Sequence, residues 1–527
     1  MSLSLHPAPR RLTLSPRALV RAASLAAFLA VLGFVLFVAL RSPLKDDIAW
    51  LLYVARRWMA GRELYIDVVE VNPPLIIWIS ALPLRIAQWL SVDPQFVAMP
   101  FLVAAVLACV WWSAGLLRTR GGPFAERLPV FAIMAAVFLL IPAGELGQRE
   151  HLLIAGFLPY LVLLARRMDG KREALAAAIA AGVFAGLGAA LKPRYGGMFV
   201  VLECLAMTRG LRPWRAMPVA AATTLCAYAG LVALVCPAYL RNAIPMALAL
   251  YGATDVPMTA LLADSALLIA GMAAAAVLLW LRRDRLKGDS LMLILVVFAV
   301  TSTVICFMDG KDWFYHRIPA TIATVLALLS WIAAEIGRGR PRGGAALAGL
   351  AIGIAALGMF WTDSAQRLQP ALIAAIQPRT TTVERLEAMI KAEHARTYIA
   401  FSEWIALGFP VVNETGVVWA SRFDSMWALK GEIWRAGFDP AASREWPVAR
   451  WVAHDFIAGC PDIAVVDTRE RINYIKVLRT ADPAFGRVWS RYRQIAAFDG
   501  LVVYRRGKGG CLDVWVAAEA HPIGRVR

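Results

Sequence analysis

The sequence has 527 residues, of which 60% are hydrophobic and only 17% charged, so one soluble core is excluded. A mean hydropathy of +0.61 indicates several membrane crossings. The net charge of +18 comes mainly from Lys and Arg in short loops between apolar runs. Such loops set membrane topology, and their scattered cations do not form the single basic face of a nucleic-acid protein.

Apolar runs long enough to approach the bilayer thickness follow one another along the chain. The first, 22–40, follows a basic segment without a convincing cleavage site, so residues 1–21 are predicted to be cytoplasmic. Together with the first, the remaining runs predict a polytopic α-helical membrane protein with about 11 transmembrane helices. These further runs are 96–117, 128–143, 151–165, 174–191, 195–208, 216–236, 260–280, 290–307, 318–336 and 345–361.

The distribution of Lys and Arg among the loops predicts how the protein is oriented in the membrane. The basic loops 118–127, 166–173, 209–215, 281–287 and 338–342 are expected in the cytoplasm. This alternation requires that the run 73–90 does not cross once, so we predict an interfacial or re-entrant helix there. The transmembrane domain then spans 22–361 and includes a loop, 41–95, on the opposite, periplasmic side.

Residues 362–527 have the pattern of a small α/β domain, predicted on the same side as the loop 41–95. Threonines that can cap a helix precede a helical pattern over Thr380–His394. Strands are predicted at Thr397–Phe401 and Asp462–Val466, and a hairpin at Gln494–Phe498 and Leu501–Arg505 around Asp499-Gly500.

Seven cysteines lack CxxC or zinc-ligand spacing, so neither a redox motif nor a zinc module is indicated. Cys460 and Cys511 belong to the C-terminal domain and either form a disulfide outside the cytoplasm or stay as two thiols. The other five lie in or beside apolar runs and are interpreted as packing residues.

Acidic residues follow the first helix. Asp46 and Asp47 form a pair beside the membrane, where a perturbed pKa would let a carboxylate take a proton from a hydroxyl. The alternative is a solvated turn at a helix end. Glu70 precedes the rigid pair Pro73-Pro74 and either orients an acceptor or is a surface carboxylate.

A second polar cluster, Glu145, Arg149, Glu150 and His151, lies between two apolar runs. Ionisable side chains at a membrane boundary are costly unless they pair or contact a ligand. They therefore indicate either substrate binding or a structural ion-pair network. His151 has no partner at metal-ligand spacing, so we predict no metal there.

Two basic clusters lie at helix ends on the side where the positive-inside rule disfavours them. Cations that face one cavity would bind phosphate, whereas snorkelling to lipid headgroups is the structural alternative. Neighbouring aromatic residues at 313–315 fit an interfacial belt. The cations are Lys192 and Arg194, beside Tyr195, and Lys311, His316 and Arg317.

The segments Asp46–Trp50, Gly61–Asp67 and Asn72–Leu75 resemble, in order and spacing, the membrane glycosyltransferases of the GT-C fold. This superfamily contains protein O-mannosyltransferases and lipid A aminoarabinose transferases. The resemblance is strongest over 41–90 and implies that Asp46 is the catalytic base, that Asp47 is its neighbour, and that Glu70 is in the active site.

The resemblance implies an inverting transfer of a sugar from a polyprenyl-phosphate carrier to a lipid, glycan or protein acceptor on the outer face. Charge stabilisation at the phosphate is expected from the five cations of the basic clusters. The residues expected to bind substrate or acceptor are Glu70, Glu145, Arg149, Glu150, His151 and Tyr195. No cofactor is predicted, and no residue pattern supports a divalent metal.

Three alternatives compete with this function. A transporter or flippase for a lipid-linked anionic glycan would use the same polar clusters, although no internal repeat favours it. A polysaccharide polymerase or ligase fits the order of motifs less well, and a nucleic-acid partner is disfavoured. The predicted partners are therefore the donor, an envelope acceptor and membrane lipids, and the features suit a bacterial inner membrane, with the endoplasmic reticulum as the alternative.

Overall fold

A computed structural model describes residues 15–117, 126–283, 290–337, 344–377, 381–437 and 442–507. Those residues form mainly helices, followed by a small sheet near the C-terminus. The helices are α1 Pro16–Arg41, α2 Asp46–Met59, α3 Pro74–Leu90, α4 Pro94–Leu116, α5 Arg127–Leu140, α6 Arg149–Met168, α7 Leu175–Leu191, α8 Gly196–Thr208, α9 Ala216–Val235, α10 Ile244–Leu250, α11 Met258–Asp264, α12 Ala266–Leu281, α13 Ser290–Met308, α14 Ile318–Gly337, α15 Gly344–Ile376, α16 Thr382–Ala392, α17 Val411–Thr415, α18 Trp427–Ala436, α19 Ala442–Glu445, α20 Val448–Gly459, α21 Tyr474–Ala481 and α22 Pro483–Trp489. The strands are β1 Thr397–Phe401, β2 Val418–Trp419, β3 Ile463–Asp467, β4 Tyr492–Phe498 and β5 Leu501–Arg506.

Seven of the described helices are long and apolar enough to cross a membrane, namely α1, α4, α6, α9, α13, α14 with its preceding turn, and α15. A bent pair, Tyr239–Thr254 and Met258–Asp264, would bring the number to eight. Shorter apolar helices are α3, α5, α7 and α12. The polytopic α-helical prediction is confirmed, whereas the count of 11 spans is not. The predicted basic loops 118–127, 281–287 and 338–342 fall largely outside the described residues.

The segment after the first membrane helix folds as two consecutive helices. Helix α2 has Asp46 and Asp47 in its first turn and Arg56 and Arg57 in its last, which complements the helix dipole. Its middle, 48–55, is buried. Helix α3 has 17 residues and starts at a proline, whose missing N–H is not needed there. That α3 does not cross the membrane stays a prediction.

The C-terminal sheet confirms the predicted strands. Its order is β2-β1-β3-β5-β4, with β1 parallel to both β2 and β3. The predicted hairpin is present as β4 and β5, which pair antiparallel across Asp499-Gly500. Helix α16 starts with the predicted threonine cap, because the Thr381 hydroxyl and the Glu384 carboxylate each accept from the other residue's backbone N–H. A five-stranded α/β unit therefore follows the membrane helices.

This sheet domain packs directly on the loop region after α1. The Val69 N–H donates to the Arg422 carbonyl at 2.7 Å, and Asn413 Nδ2 donates to the Ala49 carbonyl at 3.2 Å. Buried apolar residues from both regions form one continuous core. The predicted boundary at 361/362 falls inside α15. Cys511 of the predicted cysteine pair lies outside the described residues, so that pairing stays a prediction.

Candidate functional site

A cavity of about 790 Å³ lies between the ends of several membrane helices and the sheet domain. The starts of α2 and α6, the turn after α7, the segment before α14 and the loops that follow β1 and β3 all contribute to its walls. Nine of the thirteen predicted site residues line it. They are Asp46, Asp47, Glu70, Glu145, Arg149, Lys192, Arg194, Lys311 and His316.

The acidic wall starts at the first turn of α2. Asp46 Oδ1 accepts from the Asp47 N–H at 2.9 Å. Lys45 Nζ lies 3.5 Å from Asp46 Oδ1 and 3.1 Å from Glu145 Oε1. Burial raises the pKa of Asp46, and the Asp47 carboxylate raises it further, while Lys45 opposes both effects. Asp46 is therefore more basic than an exposed aspartate, as a proton acceptor requires.

Asp47 points toward the start of α6. Gln148 Nε2 donates to Asp47 Oδ2 at 3.1 Å, and Arg149 Nη2 lies 3.8 Å from Asp47 Oδ1. The Arg149 side chain is buried, and its Nε lies 3.9 Å from Glu150 Oε2. Arg149 therefore lies between the acidic wall and the residues that hold the cations.

Glu70 is buried at the back of the acidic wall. It accepts from Trp50 Nε1 and from the Asn72 amide side chain, and the Asn72 N–H donates to Glu70 Oε1 at 2.7 Å. Burial raises the pKa of Glu70, while Arg149 and the hydrogen bonds lower it. These fixed contacts hold the carboxylate at the cavity.

The cationic wall surrounds the end of α7. Lys192 Nζ lies 2.7 Å from Glu150 Oε1, 3.2 Å from His316 Nε2 and 3.8 Å from Asp309 Oδ2. Arg194 also contacts Asp309 and is more exposed. Two carboxylates, Glu150 and Asp309, thus compensate these two cations, so paired charges and a histidine lie together at one side of the cavity.

Lys311 lines the cavity but is tightly anchored. Its Nζ donates to the Tyr251 carbonyl at 2.7 Å and to Thr254 Oγ1 at 2.5 Å, and it also contacts the Asp255 carboxylate. Burial lowers the pKa of Lys311, and Asp255 opposes that change. Lys311 therefore fixes the turn 251–255 that forms part of the cavity wall.

Four predicted site residues do not line the cavity. Glu150 lies behind the wall, where it contacts Lys192. His151 is fully buried, and its Nδ1 accepts from the Gly147 N–H at 3.1 Å. Tyr195 is buried, and Arg317 donates to backbone carbonyls of 264 and 312. The structure does not bring the last three into contact with the cavity, so their predicted roles gain no geometric support.

The sheet domain supplies lining residues that sequence reasoning missed. Asp424 lies at the cavity, and its Oδ1 accepts from the Ser425 N–H at 2.6 Å. Burial raises the pKa of Asp424 to about 8, and Glu70 contributes to the rise. The other missed residues of this domain are Glu403, Trp404, Ile405, Ser425, Trp427, Lys430 and Glu470. The sequence does contain one signal for these residues, because 403–404 come directly after a predicted strand. Ligands bind at the carboxyl ends of parallel strands.

The carboxylates of the site are arranged for ion pairs and not as a group of metal ligands. Within the described ranges, no three His, Cys, Asp or Glu side chains are grouped in a way that could hold an ion. The acidic wall instead has cations and amide groups as its contacts. Its chemistry in this structure is that of ion pairs and hydrogen bonds.

Comparisons with known proteins show which fold this chain has. No protein-family model and no curated protein sequence matches the chain. Among solved structures, ArnT from Cupriavidus metallidurans bound to undecaprenyl phosphate is 14% identical, with a TM-score of 0.50 over 92% of this chain and 97% of that chain. The archaeal oligosaccharyltransferase AglB from Archaeoglobus fulgidus, in complex with an inhibitory peptide and a dolichol-phosphate, is 13% identical, with a TM-score of 0.45 over 92% of this chain and 74% of that chain. The similarity to ArnT confirms the predicted GT-C fold of an integral membrane protein.

Proposed function

We propose that this GT-C-fold protein is an inverting glycosyltransferase that moves a sugar from a polyprenyl-phosphate carrier to an acceptor hydroxyl. The observation that carries the proposal is one cavity with the Asp46 and Asp47 carboxylates on one wall and Lys192, Arg194 and His316 on another. ArnT, which has the same fold, was solved with undecaprenyl phosphate, and this supports a carrier of that class.

The proposed reaction is a single displacement. Asp46 accepts the proton of the acceptor hydroxyl while that oxygen attacks the anomeric carbon, and the bond from that carbon to the phosphate oxygen breaks. Attack opposite the leaving group inverts the anomeric configuration. The carrier phosphate leaves with the bonding electrons, so no general acid is needed. Lys192 and Arg194, with His316 as a hydrogen-bond partner, stabilise the charge on that phosphate.

The proposed topology places this cavity on the periplasmic face. Residues 1–21 then lie in the cytoplasm, the membrane domain spans 22–361 and the sheet domain, 362–527, is periplasmic. A lipid-linked donor explains why the cavity lies at the ends of membrane helices, because its chain stays in the bilayer while its head reaches the charged walls. The acceptor is a lipid, glycan or protein of the cell envelope.

The deciding experiment measures transfer of radiolabelled sugar from a panel of undecaprenyl-phosphate sugars by the purified protein in detergent. Asp46→Asn keeps the shape of the side chain but removes the base, so we expect a loss of about 10² to 10⁴ in rate. Glu63→Gln, which changes an exposed carboxylate outside this cavity, is the matched control and should keep full transfer.

Two results would contradict the proposal. If the folded wild-type protein transfers sugar from no donor in the panel, the proposed glycosyltransferase function is wrong. Equal transfer by the wild type and a folded Asp46→Asn variant would remove Asp46 as the base. Thermal unfolding of each purified variant separates a lost catalytic group from a lost fold.

A further inference from the structure

The sheet domain presents a built crevice to the cavity. The connection that leaves β1 runs to β2 on one side of the sheet, and the connection that leaves β3 runs to β4 on the other side, so a crevice forms at the carboxyl ends of β1 and β3. Buried Ser402 follows β1, and its Oγ lies 2.9 Å from Asp467 Oδ2 and 2.7 Å from Glu470 Oε1. The loops after the two strands are therefore tied together.

These ties hold one aromatic side chain in place. The Trp404 N–H donates to Ser402 Oγ at 3.0 Å, and the Glu403 N–H donates to Glu470 Oε1 at 2.7 Å. The Arg469 guanidinium lies 5.1 Å from the centroid of the Trp404 ring. Trp404 is nevertheless 41% exposed and lines the cavity. Its backbone is fixed, and a large part of its indole is available to a ligand.

A polar pair lies beside this indole. Lys430 Nζ contacts Glu403 Oε2 at 2.9 Å, and both residues line the cavity. The ammonium group supplies hydrogen-bond donors and the carboxylate supplies acceptors. An apolar ring next to paired donors and acceptors matches a sugar, whose C–H face is apolar and whose hydroxyls both donate and accept.

A second cavity indicates whether the donor or the acceptor lies at this crevice. It has a volume of about 770 Å³ and shares Asp46 and Trp404 with the first cavity. Residues of α1 and α15 form much of its wall, whereas Lys192, Arg194 and His316 do not line it. Asp46 and Trp404 therefore lie where the two cavities meet, whereas Lys192, Arg194 and His316, to which the proposed function assigns the donor phosphate, line only the first cavity. In an inverting displacement, the acceptor approaches from the side opposite that phosphate.

We propose that Trp404, with the Glu403–Lys430 pair, forms a subsite for a sugar ring of the acceptor. The acceptor is then a saccharide-bearing molecule, and a ring stacked on the indole presents its hydroxyl to Asp46. This inference rests on the proposed function for the identity of the reaction. Binding of a sugar at Trp404 can be measured without any transfer.

The first test is saturation-transfer NMR with methyl α-D-mannopyranoside, methyl β-D-glucopyranoside and N-acetylglucosamine on purified protein in detergent. We expect the ring protons of at least one glycoside to be saturated by the wild type and by Trp404→Phe, and not by Trp404→Ala. Trp214→Ala, which changes a highly exposed tryptophan outside both cavities, is the matched control and should keep the signal. Absence of saturation by the wild type, or equal saturation by Trp404→Ala, would overturn the subsite.

The second test separates this subsite from the donor site. Hydrolysis of the carrier-linked sugar, in which water replaces the acceptor, reports the donor side, and transfer to the bound glycoside reports both sides. Trp404→Ala should lose about tenfold in kcat/KM for transfer, equal to about 1.4 kcal/mol, through KM for the glycoside, while hydrolysis stays unchanged. Equal losses in both reactions would overturn the subsite. If the wild type saturates a glycoside but neither transfers nor hydrolyses the carrier-linked sugar, the proposed function is overturned. Only a sugar-binding crevice then remains.

Discussion

The two ends of the membrane helices carry similar charged residues in different arrangements. At the end away from the cavity, Glu203 accepts from Tyr160 Oη and from Arg215 Nη2, both at 2.5 Å. Arg282 Nη2 there lies 2.7 Å from Glu335 Oε1. None of these five residues lines the 790 Å³ cavity. Each carboxylate is matched by its own cation over a short contact, as expected for charges that stabilise packing.

At the cavity end the contacts of Arg149 are longer. Its guanidinium lies 3.8 Å from Asp47 and 3.9 Å from Glu150, and its buried Nε has no hydrogen-bond partner among the described residues. A buried donor without a partner is costly, although Arg215 Nη1 at the other end also has no hydrogen-bond partner among the described residues. The difference between the two ends therefore lies in the long contacts of Arg149, because Lys192 and Glu150 at the cavity lie 2.7 Å apart, as close as the pairs at the other end.

The largest difference between the two ends should appear when one arginine is removed from each. Arg149→Gln should lower transfer by about 10² to 10³, as loss of an electrostatic contact to a developing charge does. Arg215→Gln should instead lower the free energy of unfolding by about 1 to 3 kcal/mol, because Glu203 loses its cation. Transfer per folded molecule and thermal unfolding, measured on both variants, test the contrast. Equal losses of transfer would contradict it.

A smaller effect is expected at the cationic wall. Lys192→Gln should raise KM for the donor by about tenfold, or about 1.4 kcal/mol, because one cation at the proposed phosphate site is lost. Glu150→Gln should also weaken transfer, since Glu150 holds Lys192 at 2.7 Å. The double variant should lose less than the sum of the two single losses, because the residues act as one pair. Additive losses would show that Glu150 does not position Lys192.

A third effect concerns the pH dependence of folding stability and not transfer. Burial raises the pKa of Asp424 to about 8 in the folded chain, whereas an unfolded aspartate titrates at about 3.9. The folded state then binds the proton more tightly, so the wild type loses stability as pH rises from about 4 to about 8. Asp424→Asn has no carboxylate to ionise and so avoids this loss of stability. The melting temperature of the variant minus that of the wild type should therefore increase as pH rises from about 4 to about 8. Asp312→Asn, an exposed control, should show no such growth.

The acidic wall could be predicted from sequence because its signals are local. Asp46, Asp47 and Glu70 lie within one short segment, and their order relative to the first helix and the Pro73-Pro74 pair is visible without a structure. The eleven predicted apolar runs each contain a helix for the same reason, since hydropathy is a property of neighbouring residues.

The rest of the cavity could not be predicted, because it depends on contacts between distant segments. Nothing in the sequence around Asp424 or Lys430 shows that this part of the sheet domain packs against α2 and the turn 251–255. The predicted roles of Tyr195 and Arg317 require their side chains to point into the cavity. Helix rotation decides that direction, and it turns Arg317 toward backbone carbonyls instead.

The packing of the sheet domain on the loop after α1 has a consequence for biosynthesis. The Val69 N–H bonds to the Arg422 carbonyl, and Trp404, Asp424 and Lys430 complete the cavity wall. At about 5 to 20 residues per second, a ribosome reaches Lys430 roughly 3 to 11 s after α15 has been made. The membrane helices therefore enter the bilayer with an incomplete site. A nascent chain that ends before the sheet domain holds the acidic pair without this part of the cavity wall, so the proposed site is assembled only once the sheet domain has been made.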